Sequence, residues 1–192
     1  MVGITLLGCL SSLPVSGKPT SVFGQQNAQN DKSGAVEPVI AAFERRVKEY
    51  VKQREQLEEK LPKLSKDATP EQIQAHETAF QEAVRMARSG AKPSEIFTPE
   101  IARYIRLAIK REFKGKQLKE LRETSLEAEK QGVTVKVNAP YPQNKEQMEV
   151  PTLLLVLPPL PKQLRYRFVG RYLLLVDREN RLIIDYMREA LP

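Results

Sequence analysis

Tryptophan is absent from this 192-residue chain, and cysteine and histidine occur once each, as Cys9 and His76. A lone imidazole leaves both a metal site and a nucleophile–base pair without a second member. His76, between Ile73 and Phe80 on an apolar helix face, is therefore read as structural or surface-lying. No Gly-x-Gly-x-x-Gly, phosphate loop, Gly-x-Ser-x-Gly or His-Glu-x-x-His pattern occurs, so no catalytic residue, metal site or cofactor is implied. Asp177 and Asp185 flank a polar turn, where acids are ordinary, and no carboxylate pair stands out. Charge is missing from the opening of the chain: Val2 to Val15 carries none, in a chain that is 29% charged. That run is shorter than the about 20 residues a membrane-spanning helix needs.

An uncharged opening of this kind supplies the apolar core of a secretory leader, roughly 7–15 residues long. Val15-Ser16-Gly17 and Val22-Phe23-Gly24 place small residues where a signal peptidase cuts, although no Lys or Arg precedes the run. The expectation is a leader over 1–24 and a periplasmic or extracellular mature protein. Its removal deletes Cys9, leaving no disulfide and no thiolate metal site. The motif Leu6-Leu7-Gly8-Cys9 resembles the lipobox of bacterial lipoproteins, a resemblance that implies lipidation at Cys9.

The remaining chain divides into a disordered tether over 25–35, a helical region over 36–132 and a β-rich region over 133–192 that packs with the helices as one domain. Val36, Ile40, Phe43, Val47, Tyr50, Leu57 and Leu61 alternate steps of four and three along a first helix, with Arg54 in the missing slot. Such a stripe either docks the helix on its own domain or pairs it with a second copy. Pro62 ends it. Thr69, Pro70 and Gln72 form a capping box for a second helix, with Ile73, His76, Phe80, Val84 and Ala87 on one face and Gly90 as its left-handed stop. Thr98 and Pro99 start a third, with Phe97 as staple and Ile101, Ile105, Ala108 and Ile109 inward. Gly115 interrupts it, and a fourth runs from Lys116 to Gln131.

After Gly132 the period falls to two: Val133, Val135 and Val137 alternate with Thr134 and Lys136. Six of the 14 prolines lie between Pro140 and Pro161. Thr152–Leu157, Tyr166–Val176 and Leu182–Met187 read as strands, with Gly170 as a bulge and Asn180 as the left-handed residue of the last turn. Leu157-Pro158-Pro159-Leu160-Pro161 reads as a stiff connector. Leu160-Pro161, Tyr166 to Arg171, Leu173 to Asp177 and Leu182 to Tyr186 are similar to a C-terminal hairpin of uncharacterised exported bacterial proteins, and more loosely to small periplasmic proteins associated with nickel and cobalt homeostasis. That resemblance implies an extracytoplasmic hairpin module; one histidine is few for a metal role.

The expected fold class is thus α+β, with about four helices followed by an antiparallel sheet of three or four strands. Arg103, Arg106, Lys110 and Lys114 share one helical face opposite Ile101, Ile105 and Ala108, in a chain of net charge +7. Arg111, Lys116, Lys119 and Arg122 extend the positive field, and Glu112, Glu120 and Glu123 dilute it. Such a face suits an anionic envelope surface or partner; nucleic-acid readers interleave stacking aromatics, and only Tyr104 is available here. The functional expectation is an exported accessory protein without catalysis that engages an unknown protein or an anionic envelope surface. An envelope enzyme using carboxylates, marked by a pocket lined with two or more acids, and an unexported nucleic-acid binder are the alternatives.

Overall fold

The strongest local start signal in the chain is formed as the residues require: Thr69 N–H donates to Gln72 Oε1 at 2.9 Å and Gln72 N–H to Thr69 Oγ1 at 3.4 Å. A computed structural model describes residues 27–120, 123, 135–141 and 155–191. The expected leader, Cys9, Arg122 and most of the expected fourth helix lie outside these residues. Helix α1 (Asn27–Glu58), α2 (Pro70–Ala87) and α3 (Pro99–Glu112) are followed by a fourth helix, α4, helical over 116–120. Strands β1 (Leu164–Val169), β2 (Tyr172–Asp177) and β3 (Ile183–Met187) form an antiparallel sheet in the order β1-β2-β3. The fold is α+β.

Several boundaries differ from the sequence reading. Helix α1 starts at Asn27, inside the stretch expected as a tether, and carries Pro38 within it. Gly90 is not left-handed; α2 stops at Arg88, whose N–H donates to the Val84 carbonyl at 3.0 Å. Residues 135–137 and 155–157 form no strand. The expected strand Tyr166–Val176 is two strands, because Val169 pairs with Tyr172 and leaves Gly170-Arg171 as a two-residue turn. Gly170 takes φ +54° there, the sign a tight hairpin demands at its first loop position and that glycine adopts without strain. The bulge lies elsewhere. Leu175 pairs with Asp185 and Val176 with Ile183, which leaves Ile184 as the extra residue.

Both faces of the sheet are covered, which is why β2 and β3 read as continuous apolar runs. The helices cover one face: Phe43, Val47, Phe80, Val84, Ile101 and Ile105 meet Leu164, Phe168, Leu173, Leu175 and Ile184. Segment 135–141 covers the other, with Val137 and Tyr141 against Leu174, Val176, Ile183 and Tyr186. Its backbone follows β3, Asn138 N–H donating to Ile183 O at 2.8 Å and Ile183 N–H to Ala139 O at 2.9 Å. Arg85 Nε and Arg88 Nη2 tie the end of α2 to Asn138 O and Ile184 O, at 3.1 and 2.9 Å. Leu157 and Pro158 are buried, and Tyr166 Oη donates to Pro158 O at 2.9 Å. The proline stretch is a docked connector.

The bulge has a consequence for α3. A strand normally alternates its side chains, but the extra residue turns Ile184 and Asp185 toward the helices together. Asp185 is fully buried, and the loop from α2 to α3 closes around its carboxylate. Oδ1 accepts from Ser94 N–H and Tyr186 N–H at 2.7 and 2.8 Å, and Oδ2 from Ile96 N–H and Phe97 N–H at 2.7 and 2.8 Å. Ser94 is left-handed at φ +69°, which turns neighbouring N–H groups inward as an anion nest. Burial pushes the Asp185 carboxyl above the usual range, and the backbone N–H groups pull it back. Phe97 is then held in the core, stacked on Phe43 at 5.9 Å, a deeper role than a helix staple.

Asparagine at this position would keep the shape but aim an NH2 group at two backbone donors. Asp185→Asn is expected to destabilise the fold by about 3 kcal/mol, read from urea unfolding midpoints. The exposed Asp67→Asn should leave them unchanged.

Candidate functional site

A cleft of about 630 Å³ rich in titratable groups lies among the described residues, where the end of α1, the face of α2 and the β2–β3 turn meet. Glu55, Glu58, Glu59, Glu77 and Glu179 line it, with His76 and an apolar floor that includes Phe80 and Ile73. Its base is a buried ion pair. Arg54, the charged residue in the apolar stripe of α1, stands 3.0 Å from Asp177 through Nε and reaches Glu58 at 3.2 Å and Glu179 through Nη2. Its guanidinium also lies over the Phe80 ring, 5.0 Å from the centroid. Burial opposes the Arg54 charge, but the carboxylates of Asp177, Glu179 and Glu58 outweigh it and raise its pKa.

Asp177 is the acceptor at the centre of this pin. Tyr50 Oη donates to its Oδ2 at 2.7 Å, while Oδ1 takes the N–H groups of Glu179 and Asn180 at 3.0 and 3.2 Å. Asn180 is buried and its Oδ1 accepts from Leu182 N–H at 3.0 Å, so the left-handed residue of the turn is Arg181, at φ +56°, and not Asn180. The stripe of α1 thus faces its own sheet, with Phe43, Val47, Tyr50 and Arg54 all buried. Removing one partner of a buried pair costs about 3–5 kcal/mol, which marks this cluster as a structural pin.

Four of the cleft's five acids already have side-chain partners. Glu58 and Glu179 hold Arg54, Glu77 pairs with Arg181 at 3.1 Å, and Glu55 accepts from Gln163 at 2.7 Å. Among the described residues Glu59 alone of the five has no side-chain partner. Acid–base chemistry needs a matched pair of groups held in different environments, and Glu59 shares the lining of the cleft with His76 and Lys63. No group of three or more His, Cys, Asp or Glu side chains fit for a metal occurs among the described residues.

The second candidate is the outward face of α3. Its inner face, Ile101, Ala102, Ile105, Ala108 and Ile109, is buried. Arg103, Lys110, Arg111 and Lys114 are exposed and form no ion pair or side-chain hydrogen bond among the described residues. Two residues depart from the expected helical face: Lys114 lies beyond α3, which ends at Glu112 before an extended Phe113, and Arg106 is drawn to the chain after β3. Its Nε and Nη2 donate to the carbonyls of Glu189 and Arg188 at 2.7 and 2.8 Å, locking the rotation of α3 about its axis. Lys116 and Lys119 pair with Glu120 and Glu123 at 3.5 and 3.8 Å. Beside the row lies a groove of about 810 Å³ between α1 and α3, floored by Val36, Val39, Tyr104 and Ala108 and edged by Glu100, Arg103 and Arg111. Leu107 stands in that edge, 57% exposed. The sequence pattern did not single out this leucine, although helical spacing alone places it among the cations.

Comparison with protein-family models, curated proteins and solved structures finds no match for the chain. No described helix is long and apolar enough to cross a membrane.

The pin carries a pH signature. Burial pushes the Tyr50 phenol well above its ordinary range, with the Asp177 charge adding to the shift, and burial does the same to Tyr166. Both groups hold their protons more tightly folded than unfolded. Their contribution is therefore intact below the unfolded phenol pKa of about 10 and is lost as pH rises beyond it, by about 1.4 kcal/mol per pH unit for each tyrosine. Urea midpoints between mildly alkaline and strongly alkaline pH should fall accordingly, and Tyr50→Phe should remove about half of that tyrosine-linked slope.

Proposed function

We propose that the chain is a non-catalytic accessory protein that engages an anionic surface through the outward face of α3. The observation that supports this is the row Arg103, Lys110 and Arg111 on α3, with Lys114 two residues past its end, all exposed and, among the described residues, without internal partners, while the opposite face of α3 is buried. Cations that serve stability are drawn into pairs, as Arg54, Arg106 and Arg181 are. A free row presents its field outward. Tyr104 is half-buried against the core and offers no stacking platform for bases, which favours an envelope surface over nucleic acid. Export to the periplasm or beyond is part of the proposal and rests on the uncharged stretch Val2 to Val15.

A second reading, an enzyme using carboxylates, is favoured by the cleft around Glu59 and His76. It stands second because the other acids of that cleft already have partners.

Binding to vesicles containing phosphatidylglycerol should fade with added salt. Neutralising each of the four cations should weaken it about fivefold, as measured by co-sedimentation; wild-type binding that ignores both salt and these substitutions would refute the surface reading. If the second reading holds, hydrolytic turnover against envelope substrates should fall about a hundredfold in Glu59→Gln, with unfolding midpoints unchanged.

A further inference from the structure

Leu107 is the one apolar side chain on the cationic face of α3. Arg103 precedes it by one turn, Lys110 and Arg111 follow at the next turn, and Lys114 lies two residues past the helix end, after the extended Phe113. From Arg103 to Arg111 the row spans about 12 Å at the helical rise. The neighbouring isoleucines, Ile105 and Ile109, are fully buried, whereas Leu107 is 57% exposed. Its surface is continuous with the apolar floor of the α1–α3 groove, where Val39 and Tyr104 rest on the core.

A purely polyanionic partner would use the cations and leave the leucine and groove unused. An apolar protein partner would bury the leucine at the expense of desolvating four cations. A bilayer of anionic lipids satisfies both at once: acyl chains take the apolar strip, while long Lys and Arg stems let their charges stay at headgroup level. We propose that the anionic surface is a lipid bilayer, on which α3 lies flat with Leu107 and the mouth of the α1–α3 groove sunk below the headgroups. This rests on the surface-engaging reading of α3 and adds an apolar component to it.

The absence of tryptophan makes the test direct. In the full chain, Leu107→Trp introduces a single tryptophan, excited apart from the tyrosines at about 295 nm (the red edge of indole absorption), at the predicted point of insertion, and Met86→Trp places one on α2 at a site 71% exposed. With phosphatidylglycerol–phosphatidylcholine vesicles, emission from the Leu107→Trp variant should shift to the blue and be quenched by brominated acyl chains. Emission from Met86→Trp should do neither. Leu107→Ser should weaken vesicle binding about fivefold and leave binding of polyphosphate unchanged. Salt-sensitive binding in which the α3 indole stays in water, or Leu107→Ser binding vesicles like the wild type, would overturn insertion while sparing the electrostatic reading. An acidic amphipathic peptide that buries the α3 indole when vesicles do not would replace the bilayer by a protein partner. Loss of all salt-sensitive binding would defeat both readings together.

Discussion

A carboxylate with no access to water must be surrounded by donors, and Asp185 meets that demand by drawing the loop before α3 onto β3. Its two oxygens accept backbone N–H groups from Ser94, Ile96 and Phe97, and that of Tyr186 besides. An ionised group left bare at this depth would cost far more than the loop's ordering. The loop therefore has one conformation that satisfies it. That conformation sets where Pro99 begins α3 and drives Phe97 between Phe43 and Tyr166, at ring separations of 5.9 and 6.3 Å. The candidate surface depends on this one residue of the sheet.

A second constraint sets the rotation of the helix. Arg106 grips the carbonyls of Arg188 and Glu189, and Ala190 N–H in turn donates to Arg171 O at 2.9 Å. The β1–β2 turn, the chain after β3 and α3 are joined in one chain of hydrogen bonds. With Arg106 turned inward to this work, Arg103, Lys110, Arg111 and Lys114 are left facing outward around Leu107. The same division separates the rest of the charge. Arg54 is absorbed by Asp177, and the cleft above it is occupied mostly by charges that answer one another. The molecule thus holds a cleft whose charges are mostly paired and, apart from it, the unpaired cations on which the proposed surface reading rests.

The parts legible in advance are those governed by neighbours in sequence. The capping box at Thr69, the inward set of α3, the hairpin turn after Asp177 and the α+β class follow from periodicities and cap chemistry that act over a few residues. The errors share a cause. Gly170 reads as a bulge because Tyr166 to Val176 is largely apolar, yet a sheet covered on both faces removes the alternation that would expose the turn. Asn180 has the stronger local preference for a left-handed backbone, but its side chain is needed inside, beside Leu182 and Tyr50, and Arg181 takes the strained position instead. Among candidate site residues, the cationic face is legible from spacing; the withdrawal of Arg106 is not, because its partners, Arg188 and Glu189, lie at the far end of the sequence.

Local chemistry in the sequence decided the helices, the starts of α2 and α3, the apolar strand segments of the C-terminal third and the cationic residues of α3, since each is set by contacts within a turn or a strand length. Tertiary structure alone decided that Ile184 would be an extra residue, and hence that Asp185 would face the helices. It also decided that Arg54 would be a buried anchor rather than a flaw in an apolar seam. The reason in both cases is the same. A buried charge is tolerable only where distant parts of the chain bring it partners, and no local pattern records which parts those are.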